Sequence, residues 1–153
     1  MISLRLKIPP PIVALAMGLL MWLIARVTPS LTIAIPARWV AVALIAALGA
    51  TVAISGVLAF RKAKTTVNPM NPSAASALVN HGIYRRTRNP MYLGLLCVLL
   101  AWMVWLSNPL ALLGPIAFVL YMNQFQIGPE ESALDRLFGQ KYAEYRYRVR
   151  RWI

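Results

Sequence analysis

Two short polar stretches, at 81–94 and 128–131, hold the residues of this chain that could do chemistry. The first contains tyrosines, arginines and an asparagine, and the second contains the adjacent acids Glu130 and Glu131. A carboxylate can hold an ammonium group, and tyrosine rings accept a cation against their faces. These residue types are suited to holding a positively charged group.

Other kinds of site lose support because their sequence signatures are missing. The chain has no Gly-rich phosphate loop, no dinucleotide-binding fingerprint, no nucleophile elbow and no pair of carboxylates inside an apolar run. One cysteine and one histidine are too few for an ordinary zinc or iron–sulfur site within one chain. We therefore expect no metal.

Long apolar runs must position these polar residues. Of the 153 residues 59% are hydrophobic and 13% are charged, a balance that favours a bilayer over water. A helix needs about 20 residues to cross the hydrocarbon core. Runs of about that length predict four transmembrane helices, at approximately 9–26, 38–60, 90–107 and 109–128. The fold class is therefore all-α, a polytopic membrane protein in one domain over 1–153.

Turn residues at 107–109 predict that the third and fourth helices form a hairpin, which would bring the two polar stretches together. A short helix is predicted over 73–79, in the loop between helices two and three. Apolar residues at helical spacing after 130 predict an amphipathic C-terminal helix on the cytoplasmic side, near the anionic leaflet.

The basic residues indicate how the chain is oriented. All of the 16 lysines and arginines except Arg26 and Arg38 fall on the side of the two chain ends and of the 61–88 segment. Basic residues favour the cytoplasmic side. We therefore expect the ends and the site to be cytoplasmic, and we expect the protein in a bacterial inner membrane.

Two motifs resemble a known family. The first is Leu78-Val79-x-x-Gly82-x-Tyr84-x-x-x-Arg88-Asn89-Pro90-x-Tyr92-x-Gly94. The second is Glu130-Glu131-x-x-Leu134-x-x-x-Phe138-Gly139-x-x-Tyr142-x-x-Tyr145. In this order and spacing they resemble the integral-membrane methyltransferases that include isoprenylcysteine carboxyl methyltransferase and the phospholipid methyltransferases. The resemblance covers roughly 65–153.

This resemblance implies S-adenosylmethionine as the cofactor and a lipophilic acceptor that arrives from the bilayer. Segments 65–94 and 126–148 would bind the cofactor. Glu130 would bind its ammonium group, and Glu131 is a weaker candidate. The remaining cofactor-binding residues that the resemblance implies are Tyr84, Asn89, Pro90, Met91 and Tyr92 around the nucleoside and methionine parts, and Ala77, Leu78 and Val79 along the adenosine.

Two departures from the family pattern bear on catalysis and substrate. Asn89 stands where eukaryotic members have His, so we assign no proton transfer to it, although Arg88 and Asn89 remain the catalytic candidates. Gln126 stands where the carboxyl methyltransferases have an Arg that holds the substrate carboxylate. As a substrate-binding residue Gln126 offers neutral hydrogen bonds, so a thiol, an amine or another lipophilic acceptor stays open.

Two other functions compete with this one. A non-enzymatic membrane accessory protein would bind anionic lipid or a partner subunit through its basic loops, but it would not bind the cofactor saturably. A nucleic-acid binder would interleave exposed aromatic and basic residues in a soluble fold, which four apolar spans disfavour. The oligomeric state is left open.

Overall fold

The computed structural model describes residues 6–64 and 76–153, and within these ranges the chain is helical with no strand. The helices are α1 (Pro10–Val27), α2 (Arg38–Lys62), α3 (Pro90–Leu106), α4 (Leu113–Tyr121), α5 (Gly128–Phe138) and α6 (Gln140–Arg148). A π-helical segment, Met122–Ile127, joins α4 to α5 without a break. The prediction of an all-α fold is confirmed.

Four apolar helical stretches are suited to a bilayer. The helices α1 and α2 and the continuous stretch Pro109–Phe138 are long and apolar enough to cross it, and α3 is a shorter apolar helix. Their outward faces carry large exposed apolar side chains, among them Leu15, Leu19, Leu44, Leu48 and Leu120. Such a surface suits lipid rather than water.

Small residues allow α2 and α3 to pack closely. A Cβ added to Gly49 of α2 would lie 2.7 Å from Cys97 Cβ, and one added to Gly94 of α3 would lie 2.6 Å from Ala53 Cβ. Between membrane helices close packing of this kind replaces the hydrophobic effect as the source of association. Helix α1 packs against both α3 and α4, with Met21 against Gly114.

The turn between α3 and α4 is tied to the ends of α1 and α2. Ser107 adopts a left-handed conformation (φ 53°) that ends α3, and Asn108 Oδ1 accepts a hydrogen bond from the amide of Leu110. Asn108 Nδ2 donates to Thr28 O at 3.1 Å, and Arg38 Nη1 donates to Ser107 Oγ at 3.3 Å. The predicted hairpin therefore has its turn at 107–109, at the end of the molecule where Arg38 lies.

The segment after the spans differs from the predicted single helix. It forms two helices, α5 and α6, because Gly139 (φ 49°) interrupts them. The apolar side of α6 does not lie free for lipid: Tyr142 and Tyr145 are buried in a cluster with Val79 and Tyr84.

The short helix predicted over 73–79 is not seen where the structure describes that segment. Residues 73–75 lie outside the described ranges, and 76–80 form no helix. Residues 65–75 of the expected cofactor-binding segment also lie outside those ranges.

Candidate active site

The start of α3 and the start of α5 meet at Glu130. Tyr92 Oη donates to Glu130 Oε1 at 2.5 Å, and Gln126 Nε2 donates to the same oxygen at 2.6 Å. Pro90 opens α3, where its missing N–H is not needed, so Tyr92 lies in the first turn. Gln126 and Glu130 are four residues apart across the π-helical segment, a feature often found at functional sites.

Glu130 has no cation partner among the residues that the structure describes. It is partly buried. Its two donors, Tyr92 and Gln126, are neutral side chains that are themselves buried. A partly desolvated carboxylate in such surroundings is suited to a cationic ligand.

Glu131, the next residue, is fully engaged. Its Oε1 lies 3.1 Å from Arg88 Nη2, and Arg151 grips both carboxylate oxygens, with Nη2 2.6 Å from Oε2 and Nε 3.1 Å from Oε1. These two neighbouring acids therefore have different partners. Glu131 pairs with two guanidinium groups, whereas Glu130 accepts hydrogen bonds from two neutral side chains.

Arg88 is the most constrained cation near the two acids. Its side chain is 10% exposed, and beyond the contact with Glu131 its Nε and Nη1 have no hydrogen-bond partner among the described residues. Buried donors in proteins are nearly always satisfied, so two open donors on one buried guanidinium are unusual.

The 149–153 segment runs beside the entry to α3. The amide of Arg88 donates to Arg150 O at 3.1 Å, and Asn89 Nδ2 donates to Arg151 O at 2.9 Å. Thr87 Oγ1 also donates to Arg151 O, at 3.3 Å. The Asn89 amide group is thus occupied by the backbone of this segment.

Two further contacts hold this segment against the π-helical segment. Asn123 Oδ1 accepts from Trp152 Nε1 at 3.1 Å and from Arg151 Nη1 at 3.3 Å. The sequence does not predict the contacts of Thr87, Asn123, Arg151 and Trp152. The arginines near 150 indicate membrane topology by their charge, and the only sequence signal for a contact here is a polar Asn inside an apolar run.

Tyr84 is a buried residue of the loop that precedes α3. Its ring packs edge-on against Phe60 with ring centroids 5.4 Å apart, and its carbonyl accepts from Tyr145 Oη at 2.8 Å. Burial raises the pKa of Tyr84, and the nearby Tyr145 and Glu130 raise it further. Burial also raises the pKa of Tyr142 to about 12. Both phenols therefore stay neutral at physiological pH and can act as donors but not as bases.

The residues expected along the adenosine divide between two environments. Ala77 and Leu78 line a polar cavity of about 820 Å³ between the loop and α6, together with His81, Arg85, Lys141 and Tyr145. Val79 is buried beside Tyr84 instead. Pro90 and Met91 pack against α2, where a Cβ on Gly56 would meet them at 3.0 and 3.1 Å. The structure thus gathers Tyr92, Gln126 and Glu130 closely, whereas Pro90 and Met91 serve helix packing.

Comparison with known proteins decides the family. The family model for phospholipid methyltransferases matches residues 36–141. The chain belongs to this phospholipid methyltransferase family. The match takes in α2, α3, the hairpin turn and the two acids, so the paired helix ends described above fall inside it.

Individual relatives cover less of the chain. A 63-residue stretch is 56% identical to the whole of an uncharacterized protein of Haemophilus influenzae. A 75-residue stretch, 47% of this chain, is 39% identical to 38% of a probable protein-S-isoprenylcysteine O-methyltransferase of Oryza sativa. Protein-S-isoprenylcysteine O-methyltransferase A of Arabidopsis thaliana is 38% identical over 71 residues, 34% of its length. The chain thus matches little more than a third of these two plant proteins, and no solved structure matches it.

Proposed function

We propose that this member of the phospholipid methyltransferase family transfers a methyl group from S-adenosylmethionine to a nucleophile on a lipophilic molecule. The observation that carries the proposal is Glu130, a partly buried carboxylate that has neutral donors and no cation partner among the described residues. The ammonium group of the donor would supply the missing positive charge. When bound, S-adenosylmethionine supplies a methyl group on a sulfonium centre.

The residues of this chain would act by binding, orienting and excluding water. Tyr92 and Gln126 orient the Glu130 carboxylate by donating hydrogen bonds to it. Tyr84 lies close enough to Glu130 for this acid to raise the pKa of its phenol. Ala77, Leu78 and Val79 would contact the adenosine. Asn89, held by the 149–153 segment, would shape the entry to α3 rather than move a proton. Such positioning can lower a barrier by several kcal/mol, since reactants held in line no longer have to be brought together.

The acceptor would approach from the bilayer. A groove of about 810 Å³ between α1 and α3 is lined almost wholly by apolar side chains, including Leu15, Leu19, Leu95, Val98 and Trp102. Leu95 follows Tyr92 by one helical turn, so this face of α3 leads from the groove toward Glu130. A hydrocarbon chain suits the groove, and the names of the plant relatives point to the isoprenylcysteine class as the first acceptor to assay.

Gln126 does not favour a carboxylate at its own position. Its amide donates to Glu130, so Gln126 supports the donor site and brings no charge for an acceptor. For the same reason we propose a positioning role for Gln126 beside its expected contact with substrate. A thiol or amine acceptor remains compatible with this arrangement.

We also propose that the site faces the cytoplasm of a bacterial cell, on the side where basic residues concentrate. Arg26 and Arg38, which mark the opposite side, each lie over a tryptophan ring, at 5.2 Å from Trp22 and 5.3 Å from Trp39. Tryptophan and arginine at one end of a helix bundle are typical of a membrane interface.

Titration of the purified protein with S-adenosylhomocysteine tests the donor site. Glu130→Gln should weaken binding about 10- to 150-fold, because a hydrogen bond to a charged group contributes about 1.5–3 kcal/mol. Asp135→Asn is the matched control, since Asp135 makes an exposed contact with Arg146. Equal affinities for the wild type and Glu130→Gln would remove this residue from the site.

The same titration separates the enzyme from the accessory protein, because the latter predicts no saturable binding. Incubation of lipid and thiol extracts with methyl-labelled donor, followed by mass spectrometry, would then identify the acceptor. A wild type that binds no donor and labels no extract would refute the proposed function.

A further inference from the structure

The apolar groove between α1 and α3 has cations at its rim, at the end of the bundle that carries the turn at 107–109. Trp22 of α1 and Trp105 of α3 are among the side chains that line the groove. The guanidinium carbon of Arg26 lies 5.2 Å from the centroid of the Trp22 ring. That of Arg38 lies 5.9 Å from the centroid of the Trp105 ring. Attraction between a cation and an aromatic face therefore holds both arginines beside the groove.

The turn brings the two arginines to the same rim. Asn108 Nδ2 donates to Thr28 Oγ1 at 2.9 Å, and Thr28 follows Arg26 by two residues. The neighbouring Ser107 Oγ accepts from Arg38 Nη1 at 3.3 Å. Arg26 is exposed and Arg38 is partly exposed, so a ligand in the surrounding leaflet can reach both side chains.

No carboxylate of the described residues neutralises these two cations. The chain has four acids, and all of them lie in α5 or α6, at the other end of the bundle. None of the ion pairs in the described part of the chain includes Arg26 or Arg38. Two unpaired cations at the edge of an apolar groove suit an anionic group, and phosphate oxygens match the donors of a guanidinium group.

We propose that this end of the groove is a binding site for one phospholipid of the surrounding leaflet. One acyl chain lies in the groove, and Arg26 and Arg38 hold the phosphate and ester oxygens of the head region. Basic pockets between transmembrane helices bind lipid head groups by the same chemistry. The site lies at the opposite end of the bundle from Glu130, so the inference does not depend on the proposed function.

The groove suits an acyl chain in polarity and in length. It has a volume of about 810 Å³ and is lined almost wholly by apolar side chains. At the rise of an α-helix, Gly18 lies about 12 Å along α1 from Arg26, close to the depth of one leaflet, which is half of a core of about 30 Å. A chain that enters at the rim therefore ends near Gly18. The part of the groove beside Leu95 stays available to the methyl acceptor.

Native mass spectrometry of the purified protein in detergent, titrated with lipid, tests the site with three probes. Dioleoylphosphatidylglycerol has acyl chains and a phosphate, dioleoylglycerol has the same chains without the phosphate, and glycerophosphate has the phosphate without the chains. Each basic residue near an anionic head group contributes about fivefold in affinity, so we expect the first probe to bind about 30-fold more tightly than the second. Glycerophosphate should not bind at the same concentrations.

A double variant tests the two cations. Arg26→Gln/Arg38→Gln should bind dioleoylphosphatidylglycerol about 30-fold more weakly and should bind dioleoylglycerol as the wild type does. Arg61→Gln/Lys62→Gln is the matched control, because it removes two exposed cations from the opposite end of α2. Its affinities for both lipids should equal those of the wild type.

Gly18→Leu tests the position of the acyl chain. The new Cβ would lie 3.9 Å from Leu99 Cδ2, an ordinary contact, and the rest of the side chain would fill the groove that Gly18 lines. We therefore expect both lipids to bind more weakly, by the same factor. Unchanged binding of both lipids by Gly18→Leu would overturn the placement of the chain.

Three other results would overturn the site. Equal affinity of the wild type for the two lipids would exclude a phosphate contact, and this comparison needs no variant. An equal loss in the Arg26/Arg38 variant and in its control would show attraction by net charge alone. Glycerophosphate binding as tightly as the phospholipid would leave the groove without a role.

A glutamine double variant that loses both lipids would have a damaged groove, and Arg26→Gln alone then decides. This single variant leaves the contact of Arg38 with Ser107 in place. A loss of about fivefold for dioleoylphosphatidylglycerol with unchanged binding of dioleoylglycerol supports the site. Unchanged binding of both lipids contradicts it.

Discussion

Adjacent acids can have opposite roles, and Glu130 and Glu131 show how their neighbours decide this. Glu130 accepts from Tyr92 and Gln126, which are neutral, and Glu131 bridges Arg88 and Arg151, which are charged. Removing the charge of Glu131 would leave two guanidinium groups close together, a different defect from the loss of a ligand contact. Comparison of the two acids by amide substitution therefore measures two different interactions.

The variant Gln126→Arg separates the effect expected from the family pattern from the effect expected from the structure. The family pattern alone predicts that this change improves activity on a prenylcysteine carboxylate. In the structure the new guanidinium group would lie within reach of Glu130 and pair with it. We therefore expect S-adenosylhomocysteine to bind at least about tenfold more weakly, an effect of about 1.4 kcal/mol.

Calorimetric titration measures that loss, and Gln124→Arg, at an exposed position of the same π-helical segment, is its control. Unaltered donor affinity in Gln126→Arg together with faster methylation of a farnesylated cysteine would favour the family pattern over the geometry.

The sequence predicted the proximity of Tyr92 and Glu130 better than the contacts of the neighbouring ion-pair network. The order of the two motifs and the turn at 107–109 were enough to predict that Tyr92 and Glu130 lie near each other. Nothing in the sequence distinguishes Arg151 from Arg148 or Arg150, because all three belong to one basic stretch. Which of them meets Glu131 depends on how the chain turns after α6, and that direction comes from tertiary contacts such as Trp152 with Asn123.

Helices α2 and α3 pack closely at Gly49 and Gly94, and these glycines are sensitive positions. For Gly94→Ala we expect destabilisation of about 1–3 kcal/mol, because the added methyl would overlap Ala53 Cβ and Gly49 O. Gly18→Ala is the control, since its nearest neighbour, Leu99, would be 3.9 Å from the new Cβ. Thermal unfolding in detergent compares the two, and equal midpoints would show that the interface relaxes without cost.

Helix boundaries were predictable where a residue type enforces them. Pro90 and Ser107 delimit α3, in agreement with the apolar run and the turn signal. A hydropathy profile does not reveal the π-helical segment, because its residue types are the same as those found in a regular α-helix. The sequence pattern does not reveal the break at Gly139 either, because the apolar residues from Leu134 to Tyr145 keep their helical spacing on both sides of it.

For the molecule as a whole, the two ends of the bundle differ in what they expose. The hairpin-turn end carries Arg26 and Arg38 with their tryptophans, and the other end carries the candidate site with the other basic residues that the structure describes. This distribution predicts that the site faces the cytoplasm.

Cysteine accessibility in intact cells tests the orientation. With Cys97 replaced by alanine, a membrane-impermeant reagent should modify Ile33→Cys and should spare Tyr147→Cys until the cells are opened. Ile33 and Tyr147 are 51% and 93% exposed, so a negative result at either position reflects its side of the membrane rather than burial. External labelling at Tyr147 would reverse the assignment.

The π-helical segment also makes the length of the chain between α4 and α5 partly adjustable. A π turn contains one residue more than an α turn, so deletion of a single residue inside it can restore a regular helix and leave the rotational phase of α5 unchanged. Deletion of a residue within α4 would instead rotate everything that follows by about 100° and carry Glu130 away from Tyr92. We expect a chain without Gln124 to retain more donor binding than a chain without Val119, and titration with S-adenosylhomocysteine would show whether the helix has this tolerance.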